Sequence, residues 1–343
     1  SRLMSSEKTD VDFESILETL GYNLNDRGEY WQTSALFRDG DNPTAIQIYK
    51  NSGVWKDYVE DSGFLPFSAL VKKSNHDLSQ EELKSILNNE ETNEAFINKQ
   101  ISSFSFEDIY SDLCLNDLLP HYKFYESKGV SKDLLQEISS GLATKGQMYQ
   151  RYVFPIRNEY KQIHGFAGRD MSNKDGRPKW KHVGKKSNWI YPHFNLKNKG
   201  YSQVLLVESV GDMLSIKTNS SHDCLVTFGL DVSPALITFL ISINPQKIIL
   251  SFNNDSESSS NRGLHGSIKN YLKLLSYFDQ SKIKICLPTK NDFGDMDKED
   301  YNSFNNKLEN IFDKDQRPYI IKYCKNNSGF SKALLNNLKK TLT

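Results

Sequence analysis

Three short apolar runs stand out in the second half of the chain, at residues 203–208, 247–252 and 282–288. Continuous apolar runs of this length predict strands buried on both faces of a parallel sheet. Acidic residues follow the runs, and these are Glu208 and Asp212, then Asp255, then Asp292, Asp295 and Asp297. Ligands of open α/β sheets bind at the carboxyl ends of the strands. The pattern therefore predicts a cluster of carboxylates at one sheet edge, which is what a Mg²⁺ site for phosphate chemistry needs.

The first hundred residues have a different pattern, which predicts a separate small module. Apolar residues at helical spacing over 11–21 predict a helix, and Gly21 is expected to end it. Three strand-like segments follow between turn-forming residues, at 29–33, 45–49 and 53–57. This order predicts a helix followed by a small antiparallel sheet.

Further helices are predicted between and after these parts. A capping-box pattern at 79–82 predicts a helix over 83–87, followed by a polar segment at 88–94. Residues 261–275 become an amphipathic helix after Asp255, with glycines at its start that would permit a close backbone approach or a tight turn. The stretch 301–343 is predicted to be helical and is rich in Asn and Lys.

Residues 145–199 form a basic block, with thirteen Lys or Arg against three acidic residues. The first hundred residues carry eighteen acidic and ten basic residues. Alternation over 151–157 and 163–169 predicts two paired strands that present Arg151, Arg157 and Arg169 along one side. A basic block beside an acidic metal centre is how a protein holds a phosphate backbone near a catalytic ion. A solvated charged face is the alternative interpretation.

Composition sets outer limits. The chain has 343 residues, 37% hydrophobic and 12% aromatic, which is enough for two or three domains with buried cores. The formal net charge of zero would by itself argue against a nucleic-acid protein. No apolar run approaches the roughly 18 residues that cross a bilayer, and no signal-peptide pattern opens the chain, so we expect a cytoplasmic protein without a membrane partner. The widely separated Cys114, Cys224, Cys286 and Cys324 predict reduced core residues, not a zinc ribbon or disulfides.

The spacing of the acidic residues resembles that of a known family. Glu208-Ser-Val-Gly-Asp212, followed further along by Phe252-Asn-Asn-Asp255, is similar to the Toprim superfamily. Upstream, four elements occur in the order seen in bacterial and phage-type DNA primases, which read Arg-x-x-Phe-Pro-Ile, Gly-Phe-x-x-Arg, Pro-Lys-Tyr and Leu-Tyr-Gly. Here they correspond to residues 151–156, 165–169, 178–180 and 188–192. Four elements in order, followed by the Toprim pattern, are more specific than any one of them.

The resemblance implies an α/β fold in which a Toprim parallel-sheet domain is preceded by a basic mixed α+β primase subdomain and a small N-terminal α+β module. The implied boundaries are 1–78 for the N-terminal module, 79–115 for a helical linker, 116–200 for the basic part of the catalytic core, 201–298 for the Toprim domain and 299–343 for a C-terminal helical segment.

The resemblance also implies a site for two divalent ions, Mg²⁺ or Mn²⁺. The implied metal ligands are Glu208, Asp212, Asn253, Asp255, Asp292 and Asp295, of which Glu208, Asp255 and Asp292 would be catalytic. Asn253 stands where the family has the first Asp of an Asp-x-Asp pair, and its neutral amide should weaken the site. An alternative register would use Asp255 and Glu257, but it moves the pair past the strand end. Glu208 could instead act as the base for the attacking hydroxyl.

Basic residues are implied to bind nucleotide or template, and these are Arg151, Arg157, Arg169, Lys179, Lys181, Lys185 and Lys186. Guanidinium groups grip phosphates bidentately, and lysines add point charge. Trp180, Trp189 and Tyr191 would either stack on bases or, as aromatics beside strands more often do, belong to the core. His164 and His182 have no second ligand at metal-binding spacing, which favours a structural or phosphate hydrogen bond over catalysis.

The N-terminal part resembles the zinc-binding domain of primases without its metal ligands. Residues 35–38 and 56–59 occupy the positions of the two ligand-bearing segments, and they contain neither Cys nor His. We therefore expect a zinc-less version of this domain, stabilised by Trp31, Phe37, Tyr49, Trp55 and Tyr58.

The function implied by the resemblance is synthesis of short RNA primers on single-stranded DNA by two-metal phosphoryl transfer. The implied partners are single-stranded DNA, ribonucleoside triphosphates and, by analogy with phage-type replisomes, a separate replicative helicase; a phage protein would work in the host cytoplasm. Two alternatives remain. One is a Toprim nuclease, and the other is a catalytically weakened DNA-binding subunit of a replication complex, which Asn253 and the missing zinc ligands would suit.

Overall fold

The computed structural model describes residues 12–60, 63–74, 108–192, 202–256 and 261–343. Within these ranges the chain forms three β-sheets with α-helices packed around them. Two sheets are antiparallel with five strands each, and the third is parallel with four strands. The predicted α/β class, with a parallel sheet preceded by two smaller mixed parts, is confirmed. None of the helices formed by these residues is long and apolar enough to cross a membrane.

The N-terminal part begins with α1 (Phe13–Thr19), whose cap Asp12 accepts a hydrogen bond from Ser15 N at 3.1 Å. Gly21 follows with φ 99°, a left-handed conformation that ends the helix as predicted. The sheet that comes next has strands in sequential order: β1 (Asn25–Asp26), β2 (Tyr30–Thr33), β3 (Ile46–Tyr49), β4 (Trp55–Asp57) and β5 (Phe64–Leu65). The helix α2 (Phe67–Ser74) follows it. The predicted helix and small antiparallel sheet are confirmed.

The second sheet contains the predicted hairpin. Its strands are β6 (Leu118–Leu119), β7 (Gly141–Ala143), β8 (Arg151–Arg157), β9 (Ile163–Asp170) and β10 (Trp180–Gly184), in the order β10-β9-β8-β7-β6. Two short helices, α3 (Lys123–Glu126) and α4 (Lys132–Glu137), precede β7. Strands β8 and β9 pair so that Arg151 lies opposite Asp170. The alternation of apolar residues had predicted this pairing.

The parallel sheet has the strand order β12-β11-β13-β14. Its strands are β11 (Gln203–Val207), β12 (Asp223–Val226), β13 (Lys247–Leu250) and β14 (Ile283–Ile285). The helices that alternate with them are α5 (Val210–Asn219), α6 (Pro234–Ile243) and α7 (Arg262–Leu274). The apolar runs had predicted β11, β13 and β14, but β12 and α6 were not predicted.

Three helices complete the C-terminal part: α8 (Lys298–Phe312), α9 (Arg317–Asn326) and α10 (Lys332–Lys340). They confirm the predicted helical tail. The edge strand β14 is covered at its free side, because the amide of Gln316 donates to Ile285 O and accepts from Ile285 N, both at 2.8 Å. This side-chain pair satisfies backbone groups that an open sheet edge would leave unpaired.

The parallel sheet is buried on both faces, which is why its strands read as continuous apolar runs. Val204, Leu206 and Leu250 pack into one core together with α6, α7 and the N-terminal module. Leu205 and Val207 pack into a second core with α5, α8 and the second sheet. Alternate residues of β11 therefore belong to different cores.

The N-terminal module packs against the parallel-sheet part through a shared core. Its buried Phe13, Trp55 and Leu70 belong to the same core as α6 and α7, and α2 contacts α6. Among the residues expected to stabilise this module, Trp31 and Trp55 are buried, whereas Tyr58 is 52% exposed. Tyr58 lies outside the core because it follows the last residue of β4.

Several sequence predictions fall outside the described residues. These are the helix at 83–87, the polar segment at 88–94 and the alternative ligand Glu257. The domain boundaries also stay predictions. The N-terminal module and the helices α6 and α7 share one hydrophobic core, so the segments on either side of the predicted boundary at residue 78 pack against each other.

Candidate active site

Glu208 is the first residue after β11, at the carboxyl edge of the parallel sheet. Its Oε1 accepts a hydrogen bond from Asn253 N at 3.0 Å. Burial raises the pKa of this carboxyl to about 7, and the negative charges of Asp212 and Asp255 add to the effect. Arg262 acts in the opposite direction. A carboxyl with a pKa in this range is suited to accept a proton near neutral pH.

Asp212 is 2% exposed and lies in the first turn of α5. Its Oδ2 accepts from Ser209 N (3.1 Å) and Ser209 Oγ (2.9 Å), and its Oδ1 accepts from Phe293 N (3.0 Å). Burial raises its pKa to about 6, with a further contribution from Asp292. Because both of its oxygens accept from protein donors, Asp212 joins the β11–α5 turn to the loop after β14.

The loop after β13 is held between two other segments. Asn254 N donates to Asn291 O at 2.7 Å, and the Asn254 amide donates to Pro288 O at 3.0 Å. Asp255 Oδ2 accepts from Gly263 N at 3.1 Å. With its amide nitrogen facing the acceptors, Asn291 also donates to Asp255 Oδ1 at 3.1 Å. These contacts fix Asp255 beside Glu208.

Glycine is required at position 263 by a close approach. A Cβ there would lie 1.7 Å from the Asn253 carbonyl oxygen. The sequence had suggested that this glycine admits a phosphate or a tight turn. The structure shows instead that it lets the start of α7 press against the loop that carries Asn253.

The acidic residues after β14 differ in their contacts. Asp292 is 9% exposed; its Oδ1 accepts from Asp295 N (3.0 Å) and its Oδ2 lies 3.5 Å from Lys179 Nζ. Asp295 is exposed. Asp297 caps α8 by accepting a hydrogen bond from Asp300 N at 2.9 Å. Asp292 is therefore the member of this group that faces the basic sheet.

Arg169 of β9 and Lys179, which directly precedes β10, line a narrow cleft with Asp212 and Asp292. The cleft has a volume of about 40 Å³. Arg169 donates to Asp170 O at 2.7 Å, and its guanidinium carbon lies 4.4 Å from the ring centre of Phe124. The structure thus brings two of the predicted basic residues together with two of the predicted carboxylates, as the order of the motifs implied.

Arg151, which was predicted to contact nucleotide or template, does not line this cleft. The residue is 2% exposed, and its guanidinium donates to Gly168 O (3.0 Å), Pro178 O (2.9 Å) and Lys179 O (3.4 Å). Buried backbone carbonyls need donors, and Arg151 supplies them at the place where β9 meets β10. Its contribution to the site is to hold the backbone of Lys179.

Arg157 and Lys181 also lie away from the cleft. Arg157 is at the other end of β8, where it donates to Asp112 Oδ1 (2.9 Å) and Lys161 O (2.8 Å). Lys181 Nζ donates to Gln147 O at 2.9 Å. Lys181 is the cross-strand partner of Gly168, and Met148 covers the sheet face at this pair. The neighbouring Trp180 lies on the other face of the sheet, where it packs against the second core.

Lys185 and Lys186 are exposed, beyond the end of β10. Lys186 Nζ donates to Phe228 O at 3.2 Å. Phe228 follows β12, and the preceding Thr227 N donates to Val207 O at 2.8 Å, so Lys186 lies at the same carboxyl edge as Glu208. The structure therefore adds Lys186 to the cations that border this edge.

The aromatic residues near the basic block are part of the core. Trp189 and Tyr191 are 1% and 6% exposed, and the partly buried Trp180 packs against the same cluster. His182 packs against Trp189 and Phe228, and burial lowers its pKa to about 4, so it is neutral near pH 7. His164 is buried close to Trp189. The core interpretation of the aromatics agrees with these positions.

A divalent cation fits the donor chemistry around Glu208 and Asp255. The buried carboxyl of Glu208 has its pKa raised by burial and by two neighbouring carboxylates, so ionisation there calls for a positive charge. Oxygen donors of this kind suit Mg²⁺ and Mn²⁺. However, across the ranges that the structure describes, no group of three or more His, Cys, Asp or Glu side chains stands close enough to hold a metal ion. The described carboxylates that would hold such an ion are therefore Glu208 and Asp255, and Asn253, whose backbone N–H donates to Glu208, adds no charge.

Two residues of the site were not predicted from the sequence. Ser209 forms a capping box with Asp212, and the Ser-x-x-Asp pattern after an apolar run could have revealed it. Arg262 lowers the pKa of Glu208 from the start of α7. Nothing local in the sequence signals this, because the two residues belong to different strand–helix units.

Arg151 and Arg157 differ in burial, and this difference predicts different stabilities for matched variants. Arg151→Met is expected to destabilise the protein by about 3 kcal/mol, because it leaves buried carbonyls without donors. Arg157→Met removes a partly exposed ion pair and is expected to cost less than about 1 kcal/mol. Urea unfolding of both variants measures the two values. Equal destabilisation would contradict the structural role assigned to Arg151.

No protein-family model matches the chain. Among curated proteins, the DNA primase of Borreliella burgdorferi is 29% identical over 204 residues, which cover 56% of this chain and 35% of that protein. The chain thus matches about a third of the length of this curated relative. The match confirms the resemblance to DNA primases that the motifs predicted.

Solved primase structures are also similar to this chain. A DNA primase domain from Pseudomonas aeruginosa is 15% identical with a TM-score of 0.47, and the similarity covers 59% of this chain and 74% of that chain. The zinc-binding and RNA polymerase domains of the Aquifex aeolicus primase are 14% identical with a TM-score of 0.44, covering 93% and 87%. A DnaG primase catalytic domain bound to ssDNA is 15% identical with a TM-score of 0.45, covering 56% and 71%.

Proposed function

We propose that this chain, which resembles bacterial DNA primases, synthesises short RNA primers on a single-stranded DNA template. The observation that carries the proposal is the arrangement across the cleft. Carboxylates from the edge of the parallel sheet face Arg169 and Lys179 from the second sheet, with Lys179 Nζ 3.5 Å from Asp292 Oδ2. Acidic groups for a cation beside basic groups for phosphates are what nucleotidyl transfer requires.

The basic residues would bind the incoming triphosphate. Arg169 is held by Phe124 and Asp170 O, so its guanidinium is oriented before a ligand arrives. Lys179 is exposed and paired only at the long distance of 3.5 Å, and it would exchange Asp292 for a phosphate oxygen. Positive groups fixed at this place would stabilise the charge that develops on the transferred phosphate.

The acidic residues would serve the attacking hydroxyl. Glu208, with a pKa of about 7, is suited to take the proton of a 3′-hydroxyl near neutral pH. Asp212 holds the Ser209 turn and the Phe293 backbone in register, so it positions Glu208 and Asp292 relative to each other. Mg²⁺ or Mn²⁺, held by Glu208, Asn253 and Asp255 with Asp292 and the exposed Asp295 nearby, would supply charge neutralisation for the phosphates.

The partners of this reaction are also part of the proposal. They are single-stranded DNA, ribonucleoside triphosphates and a separate helicase in a phage-type replisome. The cations at the carboxyl edge, including Lys186 beside Phe228 O, support a role in holding a phosphate backbone.

A second candidate is a DNA-binding subunit with weakened catalysis. It is favoured by Asn253 in place of a carboxylate, together with the lack of a three-residue metal-binding group among the residues described here. It predicts DNA binding without nucleotide incorporation.

The two candidates are separated by incorporation of labelled ribonucleotides on single-stranded DNA with Mg²⁺ or Mn²⁺. Lys179→Met is expected to lower incorporation by about a hundredfold to a thousandfold, the usual cost of losing one charge-stabilising donor. Lys181→Met is the matched control, since its ammonium lies on the other face of the sheet at Gln147 O, and it is expected to retain activity. Products that are unaffected by Lys179→Met would refute the assigned role, and DNA binding without products would support the second candidate.

A further inference from the structure

A large cavity of about 910 Å³ lies on the other side of the parallel sheet from the Arg169 cleft. Its walls come from the N-terminal module, from α6 and α7, and from the start of α10. Ser331 at that start bonds to Glu60 of the N-terminal module, at 3.2 Å from Oε2, and this closes the far wall. The cavity exists only because three parts of the chain that are distant in sequence meet there.

One face of α7 gives this cavity a basic lining. Arg262, Lys269 and Lys273 lie at positions 0, 7 and 11 along the helix, so they share one face. The rise of an α-helix makes this row about 16 Å long. Arg262 is the end at the carboxyl edge, because the N–H of the next residue, Gly263, donates to Asp255 Oδ2 at 3.1 Å. The row therefore begins at the candidate active site and runs into the cavity.

Lys73 adds a buried cation to the same cavity. It is 6% exposed, and its Nζ lies 4.3 Å from the ring centre of Phe37, 5.3 Å from that of Tyr277 and 5.8 Å from that of Trp55. No hydrogen bond or ion pair joins this ammonium to any residue in the described part of the chain. Asp57 and Glu60 oppose its charge electrostatically, but neither is hydrogen-bonded to it, so a further anion beside the ammonium would be favourable.

The carboxylates of the cavity do not balance these cations. Asp231 is already paired with Lys273, at 2.7 Å between Oδ1 and Nζ. Glu60 accepts a hydrogen bond from the neutral Ser331 hydroxyl and keeps its negative charge, so it offsets one of the cations. The lining thus contains four cations, Lys73, Arg262, Lys269 and Lys273, against two carboxylates, which leaves an excess of positive charge.

We propose that this cavity holds the backbone of single-stranded DNA and forms a second track that leads to or from the carboxyl edge. This inference rests on the proposed function, because the strand is the substrate of that site. A row of about 16 Å is longer than a single polyphosphate group needs, and its Arg262 end lies at the carboxyl edge beside Asp255. Lysines and arginines that follow one line bind a phosphate backbone without reading its sequence.

Protection of individual lysines tests the location directly. The full chain is treated with an acetylating reagent, with and without an oligodeoxythymidine of about twelve nucleotides, and modified peptides are quantified by mass spectrometry. Lys269 is expected to be protected severalfold by the oligonucleotide. The exposed Lys322 on α9 lies outside the cavity and is expected to react equally in both samples. Protection of Lys269 by free pyrophosphate or a nucleoside triphosphate, but not by the oligonucleotide, would overturn the proposal in favour of a small anion.

Salt dependence tests the contact itself. Lys269→Glu should reduce the slope of log affinity against log salt by about 0.7, the value for one phosphate contact to a single strand, and should weaken binding about fivefold. Lys322→Glu, with the same charge change, should alter neither quantity. Lys73→Met should also weaken binding, and its thermal melting shows whether the variant is folded. Binding and slope unchanged in a folded Lys73→Met and in Lys269→Glu would refute the proposal.

The inference and the proposed function can fail separately. If the natural protein makes no primers but Lys269 is protected and the salt slope falls in Lys269→Glu, the track stands and the catalytic proposal fails. If primers are made, Lys179→Met abolishes them and Lys269 is unprotected, the catalytic proposal stands and the track is absent.

Discussion

Glu208→Gln is expected to abolish nucleotide incorporation and, at pH 8, to make the folded protein more stable. The folded pKa of Glu208, about 7, lies above its ordinary value of 4.5 because the side chain is buried near Asp212 and Asp255. Between these two pH values the folded state binds more protons than the unfolded state, so stability falls as the pH rises through this window. Glutamine carries no charge and should recover on the order of 3 kcal/mol at pH 8.

Urea unfolding at pH 5 and pH 8 measures this effect. The natural protein should lose stability between the two, and Glu208→Gln should lose less. Glu309→Gln on the exposed side of α8 is the matched control and should follow the natural protein. Addition of Mg²⁺ at pH 8 should raise the melting temperature of the natural protein more than that of Glu208→Gln. Identical pH dependence in both proteins, with no effect of Mg²⁺, would show that Glu208 is neither a strained carboxyl nor a ligand.

Gly263→Ala is expected to destabilise the protein by about 3 kcal/mol or more, the upper range of overpacking effects. Its Cβ would lie 1.7 Å from the Asn253 carbonyl oxygen and 2.7 Å from the carbonyl carbon. Both atoms are backbone, so no side-chain rotation can relieve the overlap. The helix or the loop must move, and either movement breaks the 3.1 Å hydrogen bond from Gly263 N to Asp255 Oδ2.

Gly211→Ala provides the control, since Gly211 lies in the first turn of α5 at the same sheet edge. Its Cβ would meet Ser209 Oγ at 3.5 Å and Trp180 at 3.6 Å, which are ordinary contacts. We expect its stability to stay within about 1 kcal/mol of the natural protein. Urea unfolding compares the two variants, and a Gly263→Ala protein as stable as Gly211→Ala would show that α7 does not press on the loop.

The elements that were predicted correctly have strong local signals. The strands β11, β13 and β14 are continuous apolar runs because both faces of the parallel sheet are covered. The helix α1 was predicted from its spacing and from Gly21. By contrast, β12 and α6 were missed, and α6 is so evenly apolar that it lacks the amphipathic pattern of a surface helix.

The basic residues of the second sheet show what the local sequence pattern does not predict. The neighbouring strands β8, β9 and β10 contain four of the predicted phosphate-binding residues, which are Arg151, Arg157, Arg169 and Lys181. From the sequence, the same role was predicted for all four. Their environments differ. Arg151 is buried and donates to backbone carbonyls, Arg157 lies at the far end of β8, and Lys181 lies on the opposite face of the sheet. Burial and strand face depend on what packs on the sheet, which is a property of distant segments.

The sequence by itself determined the order of elements, the position of the carboxylates after apolar strands and the resemblance of the motifs to DNA primases, since all of these depend on residues that are close together in the chain. Only the tertiary structure decided that Asp212 accepts hydrogen bonds from Ser209 and Phe293, and that Arg151 is buried and donates to backbone carbonyls. It also decided that the N-terminal module shares a core with α6 and α7, and that Lys73 lines the same cavity as the basic face of α7. The physical reason is that burial and charge neighbourhood are set by contacts between segments far apart in sequence, and such contacts leave no local pattern of hydrophobic and polar residues.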